Sequence, residues 1–356
     1  MLFIPADRIR QQSFNILRAW GQSEAHANIT ADILTETDLR GIDSHGLSML
    51  PVYEEQLATK LNMKPDIKVV RETPVSALID ADNGLGHVPG HMGMSMAIAK
   101  AKVIGMAMVT VRRSGHYGAA GYYTDMAARE GLIGISTTSS RGLAMVPTFG
   151  AEPVFGTNPI SVAAPAKRNK PFNLDMATTT VAVGKLKLKW LNHKPLPVGW
   201  AVDEQGQPLT DSARAFKLKN ITPLGGTREL GSHKGYGLAA VVNMLSATLS
   251  GAAFQPLRLQ REDPAAPDNI GHFFMAFDPK LFRDEGEFEH DMDEMLDYLR
   301  TVKPTDPARP VMVPGDPEYQ EREQRLRDGV PVPEMLDELV RKVCTKSGAA
   351  YVLGQG

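Results

Sequence analysis

A polar loop between two predicted helices carries several residue types suited to acid/base chemistry. Arg40, Asp43, Ser44 and His45 fall within six positions, in the stretch RGIDSHG. A histidine with a pKa near its ordinary value of about 6.5 can give or take a proton at neutrality. A carboxylate can orient it, a hydroxyl can donate and an arginine can bind an anion. The competing interpretation is structural, with Asp43 or Ser44 capping a helix and His45 on the surface.

A second histidine competes for the same role. His116 lies in SGHYG, directly after a predicted strand, where a loop can carry a side chain into a cleft. Its alternative is a structural histidine that bonds to the backbone. Asp175 ends another predicted strand, and it either caps the chain that follows or joins the same site.

A metal site is not expected from the remaining histidines. His87 and His91 have the i, i+4 spacing of a metal-binding pair. The accompanying glutamate of the HExxH motif is absent, however, and Pro89 and Gly90 are expected to interrupt any helix between the two histidines.

The elements that must position these residues change character along the chain. Apolar residues at helical spacing predict two helices over residues 6–39, with Gly21 ending the first and Ser23 capping the second, and a third helix from Pro51 to Leu61. Strands are predicted at 75–81, 106–112, 132–138, 160–164, 172–175 and 271–277, alternating with helices at 92–104, 119–129, 179–190 and 234–249. From Phe288 onward the chain is again helical, with predicted helices that include 316–327 and 335–343.

This order predicts an α+β protein with two domains. Residues 1–73 and 285–356 are expected to form one discontinuous helical domain, and residues 74–284 an α/β domain. The segment 255–268, rich in proline and charge, is expected to be a surface loop. A chain of 356 residues suits two domains of ordinary size.

Composition narrows the class of protein and its partners. With 42% hydrophobic residues and a formal charge of -2, the chain is typical of a globular protein, and neither nucleic acid nor an anionic membrane is expected as a partner. The single cysteine, Cys344, excludes an intrachain disulfide. The N-terminus lacks the apolar core of a signal peptide, and no apolar run reaches the ~18 residues of a membrane span. We therefore expect a cytoplasmic protein that acts on a small molecule.

Two glycine-rich segments invite a dinucleotide-binding interpretation. Residues 84–90 follow a predicted strand, and the next strand ends at Arg112 and Arg113, as in an NADP-type Rossmann turn. The spacing is GxGxxxG, however, Pro89 lies in the turn, and no regular series of parallel βαβ units follows, so a Rossmann site is disfavoured. Residues 235–240 are better interpreted as a helix start, where backbone amides and Lys234 suit a phosphate.

Five motifs in order, RGIDSHG, SGHYGAAGYY, FGTNP, LDMATT and GSHKGYGL, resemble the malate/L-lactate dehydrogenase family of NAD(P)-dependent oxidoreductases. The family also includes sulfolactate, ureidoglycolate and 2,3-diketogulonate enzymes and cyclic imino acid reductases. The resemblance implies a non-Rossmann, mixed and largely antiparallel sheet domain that binds NAD or NADP, and a homodimer. The cofactor contacts that it implies are Ser140, Asp175, Met176, Ala177, His233, Lys234, Gly315, Asp316 and Pro317.

The resemblance also implies a reaction. Hydride is expected to pass between the nicotinamide and C2 of a small 2-hydroxy or 2-oxo acid, with His45 as the acid/base and His116 as its rival. Arg40 or Ser44 is expected to hold the substrate, and Asp175 to face both cofactor and histidine. The alternatives are an NADPH-dependent cyclic imino acid reductase, a short-chain-type reductase on a Rossmann core and a non-catalytic binding protein.

Overall fold

Twelve α-helices form within residues 1–354, which are the residues that the computed structural model describes. In chain order they are α1 Ala6–Ala19, α2 Glu24–Leu39, α3 Leu50–Glu54, α4 His87–Ile104, α5 Ala120–Arg129, α6 Val183–Leu191, α7 Ser212–Leu218, α8 Ser232–Asn243, α9 Gln255–Arg261, α10 Glu287–Thr301, α11 Asp316–Asp328 and α12 Glu334–Ser347. Gly21 takes a left-handed φ of 100° just after α1, and Ser23 Oγ accepts the His26 amide at 3.2 Å at the start of α2. Both predicted boundaries are confirmed.

The strands build one large mixed sheet and one small one. They are β1 Leu2–Ile4, β2 Lys68–Thr73, β3 Ser76–Asp80, β4 Met106–Ser114, β5 Ile133–Thr138, β6 Ile160–Ala164, β7 Phe172–Met176, β8 Ile270–Phe277 and β9 Val330–Val332. The large sheet has the order β2-β3-β4-β8-β5-β6-β7. Within residues 1–354, its only parallel pair is β3 with β4, and its other neighbours are antiparallel. A series of parallel βαβ units, which a Rossmann domain requires, is not formed by these strands.

Helices cover both faces of the large sheet. On one face α4 packs against β4 and β8, and α5 against β5 and β6. On the other face lie α8 and the short π-helical segment Met244–Thr248 that continues it. Val109, Val111 and Phe274 are completely buried between these layers. The sheet therefore provides a rigid base from which the strand ends present loops.

The two ends of the chain share a second hydrophobic core. Ile9 and Ile16 of α1 pack with Val340 and Val343 of α12, and β1 pairs antiparallel with β9. This packing agrees with a helical domain drawn from both ends, although the division at residues 74 and 284 stays a prediction. No helix within residues 1–354 combines the length and the apolarity needed to cross a lipid bilayer.

Three local predictions are wrong. Pro89 and Gly90 do not interrupt α4, because a proline in the first turn loses no helical hydrogen bond. The segment 255–268 is not a surface loop throughout, since it begins with α9, and Arg258 is buried 3.3 Å from Asp268. The predicted helix 51–61 stops at the end of α3, and the sequence did not indicate β1 or β2.

Candidate active site

The loop that carries His45 starts where α2 ends in a Schellman motif. The Gly41 amide donates to the Asp38 carbonyl at 3.0 Å, and the Ile42 amide donates to the Thr37 carbonyl at 3.1 Å. Gly41 has a φ of 78°, which a glycine adopts without steric cost. The chain therefore leaves the helix in one fixed direction.

Asp38 anchors the far side of the same loop. Its carboxylate accepts the Leu47 amide at 2.8 Å. A Cβ on Gly46 would overlap this carboxylate, so position 46 requires glycine. Burial raises the pKa of Asp38 to about 8, although the hydrogen bond from Leu47 opposes the shift.

Arg325 of α11 ties the C-terminal region to this loop. Its guanidinium donates to the Asp38 carbonyl at 2.7 Å and forms ion pairs with Asp43 and, at 2.7 Å, with Glu321. Asp43 therefore holds the loop in place through Arg325. The prediction that Asp43 orients His45 finds no contact to support it.

Arg40, which was predicted to clamp the substrate, forms ion pairs at the end of α2. Its guanidinium is buried and pairs with Glu36 at 2.9 Å and with Asp125 at 2.6 Å. It also stacks over the ring of Tyr319, 5.7 Å from the ring centroid. Glu36 and Asp125 also pair with Arg322 and Arg129, respectively. Arg40 lines a small cavity together with Asp175 and Gly315, and its role as a substrate clamp stays a prediction.

His45 and His116 meet in one cleft. Their ring centroids are 5.3 Å apart. Ser44 Oγ lies 2.8 Å from His45 Nδ1, and Tyr53 Oη lies 2.7 Å from His116 Nδ1. Both imidazoles are partly buried, and each remains partly accessible to solvent. Ser44 thus positions His45, and Tyr53 positions His116.

The hydrogen bonds assign the tautomer of His116. The Gly118 amide can only donate, and it lies 3.4 Å from His116 Nδ1, so this nitrogen acts as the acceptor. Tyr53 then also donates to Nδ1, and the ring hydrogen is on Nε2. Burial raises the pKa of the Tyr53 phenol, which keeps it protonated and able to donate.

The glycine-rich turn at residues 84–90 packs against the loop that carries His116. The Gly115 amide donates to the Gly84 carbonyl at 2.8 Å, and the Gly86 amide donates to the His116 carbonyl at 2.9 Å. A Cβ on Gly86 would lie 2.5 Å from the Gly115 carbonyl oxygen. The segment that resembles a dinucleotide-binding turn is therefore a platform that fixes His116.

Both histidines are held in their neutral form near pH 7. Burial lowers the pKa of His45. Burial lowers the pKa of His116 further, and the neighbouring His45, His87 and Arg141 act in the same direction. A neutral imidazole can accept a proton from a substrate hydroxyl, which is the requirement for alcohol oxidation.

The cleft around the two imidazoles has a volume of about 310 Å³ and a cationic character. Its lining residues are His45, His116, Gly118, Thr138, Ser139, Ser140, Arg141, Gly142, Leu143, Ala144, Thr157, Pro159, Val183, Lys219 and Ile270. They include no carboxylate. Ser140 is among them, and its contact with the cofactor stays a prediction.

The other residues predicted to contact a cofactor lie outside this cleft. Asp175, Gly315 and Pro317 line a separate cavity of about 300 Å³. The Asp175 carboxylate accepts the Gly121 amide at 2.6 Å, and burial raises its pKa to about 6 even though the side chain keeps an exposed face. Asp316 is occupied by Arg300, which donates to its two carboxylate oxygens at 2.8 and 2.9 Å.

Contacts connect the histidine cleft to the remaining predicted residues. Met176 and Ala177 directly precede Thr178, whose amide donates to the carbonyl of Thr157 at 2.9 Å, and Thr157 lines the cleft. The Leu224 amide donates in turn to the Thr178 carbonyl at 2.9 Å. Leu224 packs against Gly235, in the first turn of α8, so the start of this helix is joined to the cleft through a continuous set of contacts.

His233 and Lys234 are exposed in that first turn of α8. The Lys234 ammonium has no ion-pair partner within the described part of the chain. A free cation at the positive end of a helix dipole suits the phosphates of a dinucleotide.

The chain matches the family model described as Malate/L-lactate dehydrogenase over residues 4–340. The chain belongs to this family. It is 40% identical to the malate dehydrogenase of Pyrococcus horikoshii, covering 96% of this chain and 95% of the relative. It is 38% identical to the L-sulfolactate dehydrogenase of Methanocaldococcus jannaschii, covering 94% of each. The crystal structure of malate dehydrogenase from Entamoeba histolytica superposes with a TM-score of 0.91 at 32% identity, covering 98% of this chain and 99% of that one.

Membership of the malate/L-lactate dehydrogenase family identifies the chain as an NAD(P)-dependent dehydrogenase that acts on a CH–OH group. Three residues that line or support the cleft of this dehydrogenase carry no sequence signal. Tyr53, which supports His116, occupies an apolar position of the predicted third helix, and Arg141 and Lys219, which line the cleft, belong to no motif. Their proximity to the histidines arises from tertiary packing, which leaves no local pattern.

Buried histidines in this dehydrogenase predict sensitivity to acid. His87 is completely buried without a hydrogen-bond partner in residues 1–354, and burial lowers its pKa to about 3. Between that value and the unfolded value near 6.5, the unfolded chain binds one more proton, so stability falls as pH falls. We expect His87→Leu to reduce this loss by up to about 1.4 kcal/mol per pH unit, measured by urea unfolding at pH 7 and pH 5. His290→Gln, at an exposed position, is the control and should keep the wild-type slope.

Proposed function

We propose that this dehydrogenase transfers hydride reversibly between a nicotinamide cofactor and C2 of a small 2-hydroxy or 2-oxo acid, with His45 exchanging the hydroxyl proton. The observation that carries the proposal is the pair of imidazoles, 5.3 Å apart, in one accessible cleft, where burial lowers the pKa of each. A proton acceptor at this position assists loss of hydride from the adjacent carbon, because it removes the developing positive charge.

The side chains of the cleft have separate roles in binding the substrate and in exchanging its proton. His45 accepts the hydroxyl proton in oxidation and returns it to the carbonyl oxygen in reduction. His116, with its ring hydrogen on Nε2, donates a hydrogen bond to the same oxygen, and Tyr53 fixes its orientation. Ser44 fixes His45 in the same way. Holding the reacting groups in place in this manner supplies much of the rate.

The nicotinamide, when bound, supplies or accepts the hydride. We propose that Ser140, which lines the cleft, contacts the nicotinamide end, and that His233 and Lys234 contact the phosphates. Asp175, Met176, Ala177, Gly315, Asp316 and Pro317 are proposed to complete the cofactor site, as the family resemblance implies. The contacts from Thr157 through Leu224 to α8 support this arrangement, because they join the cleft to the start of the helix.

Lys234→Ala is expected to raise the Kd of the reduced cofactor by about tenfold, since a charge-assisted contact to phosphate is lost. Quenching of protein fluorescence during titration with NADH or NADPH measures this constant. Lys342→Ala removes an exposed lysine on α12 and should leave the Kd unchanged. An unaltered Kd in Lys234→Ala would remove this residue from the proposed site.

A substrate panel with NADH and NADPH tests the proposed function. We expect reduction of 2-oxo acids with at least one of the two cofactors. Reduction of a cyclic imino acid alone would favour the NADPH-dependent reductase alternative. A protein that neither binds nor oxidises either cofactor would contradict the proposal. A homodimer stays a prediction from the family resemblance, and a cytoplasmic location stays a prediction from composition.

A further inference from the structure

The histidine cleft contains more positive charge than one carboxylate requires. Arg141 and Lys219 both line it, and its fifteen lining residues include no aspartate or glutamate. Within residues 1–354, neither cation forms an ion pair or a side-chain hydrogen bond. Most cations that approach a substrate cleft without a protein partner are available to a ligand, and two of them together suit a ligand with two negative charges.

The two cations approach the cleft from different segments. Arg141 follows β5 in the loop that also carries Ser140, and its charge acts on both His116 and Tyr53. Lys219 follows α7, where its backbone has a left-handed φ of 57° and its amide donates to the Ala215 carbonyl at 2.8 Å. Arg141 therefore lies near the proton-transfer groups, and Lys219 approaches from the other segment.

These positions separate two tasks in binding. A 2-hydroxy acid carries its C1 carboxylate next to the reacting carbon, so the cation near the imidazoles suits that group. Arginine offers two parallel donors to such a carboxylate. The second cation then remains for a group farther along the substrate.

We propose that Lys219 binds a second anionic group of the substrate, so that the preferred substrate is a 2-hydroxy acid with a carboxylate or sulfonate at its far end. This inference rests on the proposed function and specifies its substrate class. Lys219 acts by selecting the substrate and takes no part in the proton or hydride transfer. A monoanionic acid such as lactate would leave its ammonium without a partner.

Steady-state kinetics of Lys219→Met with L-malate and L-lactate tests the selection. We expect kcat/KM for malate to fall by about 10- to 100-fold and that for lactate to change by less than threefold. Lys219→Arg should retain most of the preference because it keeps the charge. Lys217→Met, an exposed position on α7, should behave like wild type. Arg141→Met should lower kcat/KM for both acids.

Equal loss for both acids in Lys219→Met would overturn the inference and leave the proposed function intact. So would a wild-type enzyme that does not prefer malate over lactate. A cofactor Kd raised by Lys219→Met would also overturn it, since the lysine would then bind a cofactor phosphate.

A direct measurement of ligand binding tests this inference independently of the redox reaction. Isothermal titration calorimetry with succinate and with butyrate compares a dianion and a monoanion that cannot be oxidised at a C2 hydroxyl. We expect wild type to bind succinate more tightly than butyrate, and Lys219→Met to lose the difference. If the enzyme oxidised no 2-hydroxy acid but retained this Lys219-dependent difference, the proposed function would fail and the anion site would stand. Equal binding of the two acids to wild type would overturn the anion site.

Discussion

Replacing His45 with alanine is expected to lower turnover by about 10²- to 10⁴-fold in both directions, the range typical of a positioned acid/base. The imidazole lies in the cleft with its ring centroid 5.3 Å from that of His116, and no carboxylate lines the cleft to replace it as a proton acceptor. The Kd of the reduced cofactor should stay near wild type, because the proposed phosphate contacts lie at α8. Turnover with saturating substrate and fluorescence titration with cofactor measure the two quantities separately.

The same experiment decides between the two histidines. If His45→Ala keeps its turnover and His116→Ala loses it, the acid/base is His116. His290→Ala, at an exposed position on α10, controls for the loss of a histidine as such. Loss of cofactor affinity along with turnover in His45→Ala would point to collapse of the loop.

The direction of the pH effect follows from the lowered pKa values of the two histidines. Oxidation needs the neutral imidazole, so kcat/KM for a 2-hydroxy acid should be level above pH 6.5 and decline only below it. Reduction needs the protonated imidazole, so its rate should fall as pH rises above the histidine pKa. In the variant that lacks the acid/base, the residual rate of oxidation should show no decline at low pH.

Residues of the candidate site were predictable where they stood in a motif. Ser44 and His45 are neighbours in the sequence, and His116 follows a strand whose pattern is clear, so type and position together indicated a site. Arg40 occupies the same motif, yet its guanidinium forms a buried ion pair with Asp125, which lies 85 positions later. Local sequence carries no information on such a partner.

The fold was predictable where an element has a clear local pattern. β4 begins with the short run MAMVTV between Gly105 and Arg112, and a run of this length with β-branched residues indicates a strand. Segment 255–268 offers no such run, and burial of its Arg258 depends on Asp268. The charged residues of this segment suggested that it is exposed to solvent. The ion pair with Asp268, however, allows Arg258 to be buried.

The site also depends on the join between the two ends of the chain. Arg325 reaches from α11 to the loop that follows α2, where it bonds to Asp38 and Asp43. The segment that holds His45 is therefore fixed from the C-terminal side as well as by its own helix. The predicted helical domain, formed from both ends of the chain, would therefore also hold the loop that carries His45.

Asp38→Ala is expected to lower turnover by about 10²-fold and to destabilise the fold by about 1–3 kcal/mol. The substitution leaves the buried Leu47 amide without the acceptor that now lies 2.8 Å away, and it frees the loop on which His45 is carried. Urea unfolding measures the stability, and steady-state kinetics with saturating cofactor measures the turnover.

Asp38→Asn is the matched variant, because the amide oxygen can still accept the Leu47 hydrogen bond. With a pKa of about 8, Asp38 is largely uncharged at pH 7, so asparagine should preserve both turnover and stability there. The folded pKa lies above the unfolded value near 3.9, so the folded state binds the extra proton between them and Asp38 lowers stability as pH rises toward 8. Asp38→Asn should therefore gain stability relative to wild type as pH rises from 5 to 8. A loss as large as that of Asp38→Ala would show that the loop requires the carboxylate itself.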